Sequence, residues 1–282
     1  MISLAGLNTL WQDGKKHRTF LVGAFIILSI ILIVIFADVI APHSYRALNS
    51  SRSLEGPSSE FPFGTDSYGR CIFSRVIYGA RIAFRVGIIV VVIETLIGVT
   101  LGLVAGFFGK LVDKVILFIT DLTWSLPPII MAMAIVTMLG PSLNNVIIAI
   151  AVVSWAQFTR IVRVKTQAMK NMPFIEAARA FGESNFSIMV RYILPNVLSP
   201  IIVLSTLALP AAILSTTALG FLGLGAQPPD PDWGLILKDG INYMRSAPWI
   251  SIFPGLAIVY TVLGFNLLGE GLRDLLDPRL KV

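Results

Sequence analysis

The sequence is poor in the residues that most often carry catalysis or bind metals. Cys71 is the only cysteine among 282 residues, which excludes a disulfide within the chain. His17 and His43 are the only histidines, and they do not have the spacing of a zinc site. Because no convergent set of histidines, cysteines or paired carboxylates occurs, the sequence argues against an enzyme.

The chain also lacks the glycine-rich loop that binds nucleotide phosphates. Near Gly109-Lys110, Val104 stands where the first glycine of a G-x-x-x-x-G-K-[S/T] loop would be, and Leu111 replaces the hydroxyl residue. A G-x-S-x-G nucleophile elbow is absent from the sequence as well. The chain therefore has no ATP-binding loop of its own.

Charged residues are scarce, at 13% of the chain, whereas 55% of the residues are hydrophobic and the mean hydropathy is +0.81. One soluble core could not bury that much apolar surface, so we place the chain in a bilayer. The net charge of +6 could indicate nucleic-acid binding, but the basic residues bracket apolar runs instead of forming a stripe interleaved with aromatic residues. They indicate membrane topology, and no nucleic-acid partner is expected.

Six apolar runs predict an all-α membrane protein with six transmembrane helices. The first run resembles a signal peptide, but it is too long and lacks a convincing cleavage site, so an uncleaved span is expected. The third contains Pro127-Pro128, which should kink its helix, and the fourth is short enough to be partly buried in protein. The runs cover about 20–37, 82–107, 115–139, 143–159, 197–219 and 252–268.

The positions of lysine and arginine orient these spans. With the N-terminus inside, the larger share of the 22 basic residues lies on the cytoplasmic side, as the positive-inside rule requires, and both termini are then cytoplasmic. Trp233 and Trp249 are expected as anchors at the membrane interface. The predicted organisation is a cytoplasmic segment at 1–19, a first transmembrane helix at 20–41, an external segment at 42–81, and a transmembrane core at 82–282 that contains a cytoplasmic loop at 160–195 and an external loop at 220–250.

The second span carries Gly98, Gly102 and Gly106 at a four-residue repeat, which predicts a strip for close helix packing. Glu94 lies one turn earlier on the same strip. A carboxylate within a membrane is costly, so Glu94 either lines the translocation path or makes an interhelical or snorkelling contact. Asn266 in the sixth span is a second candidate residue of the path.

The most basic loop contains the stretch Glu176-Ala177-Ala178-Arg179-Ala180-Phe181-Gly182. Pro173 suits the first turn of a helix, Glu176 lies near the positive end of the helix dipole, and Gly182 can adopt the left-handed conformation that ends a helix. The alanines leave the helix backbone close to the surface, so another protein could pack tightly over it. On pattern alone, a plain connecting turn is an equal alternative.

Glu176-Ala177-Ala178, followed by Gly182 and by Ile193-Leu194-Pro195, resembles the EAA loop of permease subunits in ABC importers. Three further stretches resemble the C-type permease of the dipeptide, oligopeptide and nickel importer family. They are Gly64-Thr65-Asp66 with Gly69-Arg70, Ser74-Arg75 and Tyr78-Gly79-Ala80-Arg81; the loop from Leu219 to Gly234; and Phe265-Asn266-Leu267-Leu268-Gly269 with Leu272-Arg273-Asp274 and Leu276-Asp277-Pro278. Cys71 departs from the family pattern, in which an acid usually follows the arginine.

The resemblance implies a type I ABC importer permease fold in a bacterial inner membrane, with a cytoplasmic coupling helix formed by Glu176, Ala177, Ala178, Arg179 and Gly182. It also implies a related but different second permease, two cytoplasmic ATPases and an external substrate-binding protein as partners. ATP and magnesium would be bound by the ATPases, and no cofactor by this chain.

Peptide, as dipeptide or oligopeptide, is the first substrate that this resemblance suggests, and nickel or another metal chelate is the second. The competing class is an ion-coupled secondary transporter or a channel. Such a protein would more typically show broken helices with several intramembrane charges, and this chain has few.

Overall fold

The computed structural model describes residues 18–276, where the regular elements are helical apart from one isolated bridge between Thr65 and Cys71. The predicted all-α membrane architecture is confirmed. The helices are α1 (Arg18–Ile35), α2 (Ala37–Ile40), α3 (Ile72–Phe108), α4 (Lys110–Thr123), α5 (Pro128–Leu139), α6 (Leu143–Met169), α7 (Pro173–Ala180), α8 (Asn185–Phe221), α9 (Trp233–Ile241) and α10 (Trp249–Leu276), with a short 3₁₀ turn at Ser50–Arg52.

Five of these helices, namely α1, α3, α6, α8 and α10, are long and apolar enough to cross a bilayer. The remaining predicted span is divided, because α4 and α5 are bent by 80° and form a sixth span only if they are counted as a pair. The sequence predicted a kink here, and the structure shows a break. Pro127 and Pro128 account for it, since each lacks a backbone N–H and each disfavours the α conformation of the residue before it.

The helices extend beyond the apolar runs that predicted them. α3 begins at Ile72 although its apolar run begins at about Ile82, and α6 continues to Met169. Hydropathy marks the part of a helix that suits lipid, whereas backbone hydrogen bonds continue into polar surroundings. α9 lies within the loop predicted at 220–250 and, with 9 residues, is too short to be a span.

α3 and α6 pack side by side along the strip of glycines. A Cβ atom on Gly102 would lie 2.7 Å from the Cβ of Val162, and one on Gly106 would lie 2.6 Å from the Cβ of Thr166. Gly98 approaches the backbone of α6 as closely. Residue numbers rise together in the two helices, so they run parallel. Close backbone approach of this kind supplies the van der Waals contact that holds helices together where lipid offers no hydrophobic driving force.

α8 connects the two ends of the bundle. α7 precedes its first residue and α9 follows its last, so we call these ends the α7 end and the α9 end. Ile188–Ile193, near the start of α8, form a π-helical turn. Pro195 follows this turn and cannot donate a hydrogen bond to the carbonyl of Arg191, which explains why the helix widens there.

At the α9 end, the segment before α3 is tied to the bundle by polar groups. Nε of Arg70 lies 2.6 Å from Oδ2 of Asp66, and both side chains are buried. Trp249 donates a hydrogen bond from Nε1 to the carbonyl of Thr65, at 3.1 Å. Cys71 is buried directly before α3. The segment is therefore an ordered part of the protein surface.

Trp233 belongs to the protein core. It is 2% exposed and donates a hydrogen bond from Nε1 to the carbonyl of Val76, at 2.9 Å. The expectation that Trp233 anchors the chain at the membrane interface is therefore wrong. Its indole N–H finds a protein acceptor and does not require the headgroup region.

Asp232 directly precedes α9. Its carboxyl group is buried and faces the N–H groups of Gly234 and Leu235, and its Oδ2 has no hydrogen-bond partner among residues 18–276. Burial raises the pKa of Asp232 to about 6, and the two N–H groups oppose this only in part. Gly220 and Gly225 make room for the carboxyl group, because a Cβ atom on either glycine would crowd it.

Gly102→Ala places a methyl group against α6 and should destabilise the protein by about 1 to 3 kcal/mol. Gly255→Ala is the matched control, since no described atom apart from the local backbone of α10 and the two chain neighbours lies within 4 Å of its Cβ position. Alanine has the higher helix propensity, so the control should keep or raise the unfolding temperature. Thermal unfolding of the purified protein in detergent measures both. Equal unfolding temperatures for the two variants would show that the α3–α6 contact has room for a methyl group.

The stability of the protein should depend on pH through Asp232. An aspartate in an unfolded chain has a pKa of about 3.9. Because the pKa of Asp232 is higher in the folded state, that state binds more protons between about pH 4 and pH 6, and stability falls as the pH rises through this window. The expected loss is up to about 2 to 3 kcal/mol.

Asp232→Asn should remove this part of the pH dependence, because an amide does not ionise in the same range. Unfolding temperatures are measured for both proteins at a series of pH values from 4 to 7. Curves that run parallel for the two proteins would contradict the assignment to Asp232.

Candidate functional site

α7 has the local structure that its sequence predicts. Pro173 is its first residue and Glu176 lies in its first turn. Gly182 has a φ of +82°, and its N–H donates to the carbonyl of Arg179. The N–H of the next residue donates to the carbonyl of Ala178. These two hydrogen bonds form a Schellman motif, which ends α7 and directs the chain toward α8.

One face of α7 is buried in the bundle. Ile175 is fully buried and Ala178 is 5% exposed. Both side chains belong to a hydrophobic group at the α7 end, which we call the α7 cluster and which joins α3, α6, α7 and α8. Its buried members are Leu103, Phe107, Val162, Ile175, Ala178, Ile188, Met189, Ile193, Val197 and Ile201.

The burial of Ala178 corrects the sequence interpretation, which placed all the alanines of α7 at the helix surface. Ala178 follows Ile175 by three residues, so the two side chains share a helical face and pack together on the α7 cluster. Ala177 and Ala180 are exposed, as the interpretation requires. The small size of Ala178 therefore allows α7 to lie close to the bundle and not to an external protein.

α7, the turn after it and the start of α8 expose aromatic side chains. Phe181 is 90% exposed, Phe186 72% and Phe174 39%. Sequence reasoning missed these phenylalanines, although three of them in the most basic loop of the chain were a visible signal. We define the α7 surface as six exposed residues of this region. They are Phe174, Glu176, Ala177, Arg179, Phe181 and Phe186.

Charged side chains add further contacts at the α7 end. Arg163 of α6 pairs with Asp113 of α4 through Nε and Nη2, which gives the bidentate geometry of a strong ion pair. The guanidinium of Arg179 in α7 lies 5.5 Å from the ring centroid of Phe107 at the end of α3. These contacts connect α7 and α4 to the α3–α6 pair.

Glu94 and Asn266 are not brought together. Glu94 is 3% exposed and lies on the strip of α3 that packs against α6, where Ser154 is the polar residue that faces it. Asn266 is exposed on α10. Of the two interpretations of Glu94, the geometry in this conformation favours an interhelical contact, because the carboxyl group does not reach the surface of the chain.

Comparison with known proteins identifies the family. The family model described as "Binding-protein-dependent transport system inner membrane component" matches residues 98–282. A second model, described as the "N-terminal TM domain of oligopeptide transport permease C", matches residues 9–57. Together the two models account for both the transmembrane core and the first span.

Curated relatives align over nearly the whole chain. The dipeptide transport system permease protein DppC of Alkalihalophilus pseudofirmus is 49% identical over 275 residues, which cover 96% of this chain and 90% of the relative. The glutathione transport system permease protein GsiD of Pectobacterium atrosepticum is 42% identical over 281 residues, covering 98% and 93%. GsiD of Escherichia coli O6:K15:H31 is 43% identical over 277 residues, covering 96% and 90%. The chain therefore belongs to the family of inner membrane components of binding-protein-dependent transport systems, the permease subunits of ABC importers.

Proposed function

We propose that this chain forms half of the translocation pathway of a short-peptide importer and that α7 couples the pathway to ATP hydrolysis in a separate subunit. The observation that carries the proposal is the two-sided structure of α7. One face presents Ala177 to solvent, followed by the exposed Phe181 directly after the helix, and the other face packs Ile175 and Ala178 into the α7 cluster. A helix with these two faces can bind a partner and pass its displacement to the bundle.

In the proposed topology the α7 end faces the cytoplasm, the α9 end faces outward, and both termini are cytoplasmic. The positive-inside rule supports this orientation, because the region from the end of α6 to the start of α8, residues 160–195, holds six basic residues, namely Arg160, Arg163, Lys165, Lys170, Arg179 and Arg191. An extracytoplasmic binding protein would then meet the α9 end. The description of the matched family, which names a binding-protein-dependent system, supports such a partner.

The remaining partners follow from the same proposal. A second, homologous permease completes the pathway, and two cytoplasmic ATPases bind ATP and magnesium. The chain has no phosphate-binding loop in its sequence, which supports an ATP-binding partner. No cofactor is proposed for the chain itself.

A short peptide is the proposed substrate. The relatives named above are permeases for dipeptides and for glutathione, and both substrates are short peptides. Neither name supports the nickel or metal-chelate alternative. The family match likewise favours an ATP-driven importer over an ion-coupled transporter or a channel.

The proposed coupling follows the contacts of α7. Closure of the ATPases on ATP would move the α7 surface, and Ile175 would carry that displacement into the α7 cluster. The cluster contains Phe107 near the end of α3 and Ile188 near the start of α8, so both helices would tilt. Tilting of packed helices against a second permease changes which side of the membrane the pathway faces.

Gly182→Pro should uncouple ATP hydrolysis from peptide uptake. Proline cannot adopt the φ of +82° found at this position, and it lacks the N–H that donates to the carbonyl of Arg179. No described atom lies within 4 Å of the Cβ position of Gly182, so the bundle itself should remain intact. In the complete transporter reconstituted in vesicles, we expect peptide uptake to fall by about tenfold or more while ATP hydrolysis continues.

Gly140→Pro is the matched control for this experiment. Gly140 also has a left-handed φ, +93°, and open surroundings among the described residues, but it lies in the turn between α5 and α6. This variant should retain the ratio of uptake to ATP hydrolysis. Uptake at the native rate in Gly182→Pro, with the protein present at native levels, would count against α7 as the coupling element.

A further inference from the structure

A cavity of about 280 Å³ opens at the α9 end of the bundle. It lies between the N-terminal turns of α3, the start of α6 and the loop that joins α8 to α9. Its lining combines two aromatic rings, three charged groups and a few apolar side chains. The lining residues are Tyr45, Tyr78, Arg81, Ile82, Arg85, Leu143, Asp230 and Pro231.

The charge of Arg81 is already engaged in the fold. Its Nη2 lies 2.8 Å from Oδ2 of Asp38, and its Nε donates to the carbonyl of Val34 at 2.7 Å. Arg81 thus compensates the unpaired carbonyls at the end of α1. Tyr78 is held in place by the same carboxylate, because its hydroxyl donates to Oδ1 of Asp38 at 2.7 Å.

Arg85 and Asp230 are the other two charged groups of the cavity. Arg85 is exposed and Asp230 is partly exposed. Within residues 18–276, neither side chain takes part in an ion pair, so their charged atoms are more than 4.0 Å apart and neither neutralises the other. As far as the described part of the chain shows, the cavity therefore presents a free cation and a free anion at separate places on its wall.

We propose that this cavity contacts the substrate at the mouth of the pathway and binds a short zwitterionic peptide, with its terminal carboxylate on Arg85 and its terminal ammonium on Asp230. This inference rests on the proposed import of peptides. An arginine side chain offers a planar set of N–H donors that can hold a carboxylate through two hydrogen bonds. An aspartate accepts hydrogen bonds from an ammonium group in the same charge-assisted way.

The size and lining of the cavity fit a peptide of two or three residues. An extended dipeptide spans roughly 7 Å between its termini. The separation of more than 4.0 Å between the charged atoms of Arg85 and Asp230 is compatible with this length. The volume of about 280 Å³ lies just below the usual range for ligand pockets, roughly 300 to 1,000 Å³, so the cavity suits only a small ligand. The rings of Tyr45 and Tyr78, with centroids 4.7 Å apart, offer an apolar surface to a substrate side chain.

Uptake and ATP hydrolysis in the complete reconstituted transporter test the proposal. Arg85→Gln removes the cation, Arg85→Lys keeps it, and Asp230→Asn removes the anion. Arg245→Gln is the matched control, because Arg245 is an exposed arginine at the α9 end that does not line the cavity. The substrate is a radiolabelled dipeptide delivered by saturating binding protein, and ATP hydrolysis stimulated by the loaded binding protein is measured in the same vesicles.

We expect Arg85→Gln and Asp230→Asn to lower dipeptide uptake by about tenfold, the factor that corresponds to one lost charge-assisted contact, while stimulated ATP hydrolysis is retained. Arg85→Lys should keep much of the uptake, and Arg245→Gln all of it.

Native uptake by Arg85→Gln would overturn the proposal. A parallel loss of uptake and stimulated ATP hydrolysis would also overturn it, because that result indicates a role in docking or assembly. If the unmodified transporter takes up no dipeptide, the proposed function itself fails, and the two failures are thereby distinguished.

Discussion

The packing of Ile175 and Ala178 into the α7 cluster is the contact on which the account of this permease depends. Without it, α7 would be a short helix held by its flanking chain and by the contact of Arg179 with Phe107, and loop motion would absorb much of a force on its surface. With it, the helix belongs to one buried cluster with side chains of α3, α6 and α8. Close-packed interiors have low compressibility and transmit strain, so a displacement of α7 moves the helices beneath it.

Rigid and deformable elements alternate in the bundle around this contact. α3 and α6 meet over three glycines, where the two helices pack closely. This close contact leaves no space for one helix to slide along the other, because large side chains would then collide. The break between α4 and α5 and the π-helical turn in α8 are different, because each interrupts regular α-helical hydrogen bonding. In the proposed coupling, the α3–α6 pair would carry a displacement as one unit, and the breaks would absorb the accompanying changes of angle.

Sequence patterns predicted the features that have local causes, and missed those that depend on tertiary contacts. The left-handed conformation of Gly182 follows from the chemistry of a single residue at the end of its helix. The burial of Ala178 and Trp233 does not, because it depends on which face meets the rest of the chain. The glycine strip was predicted, whereas its partner helix was not. The pair Arg85 and Asp230 joins two residues far apart in sequence, so only the folded chain places them on one cavity.

The most direct test of the central claim asks whether an ATPase covers the α7 surface in the assembled transporter. Ala177→Cys introduces a thiol at an exposed position, while Cys71 is only 2% exposed and gives little background reaction. We expect a maleimide reagent to modify Ala177→Cys rapidly in the permease alone and slowly in the complex with its ATPase. Equal rates of modification in the two preparations would contradict the assignment of α7 as the docking element.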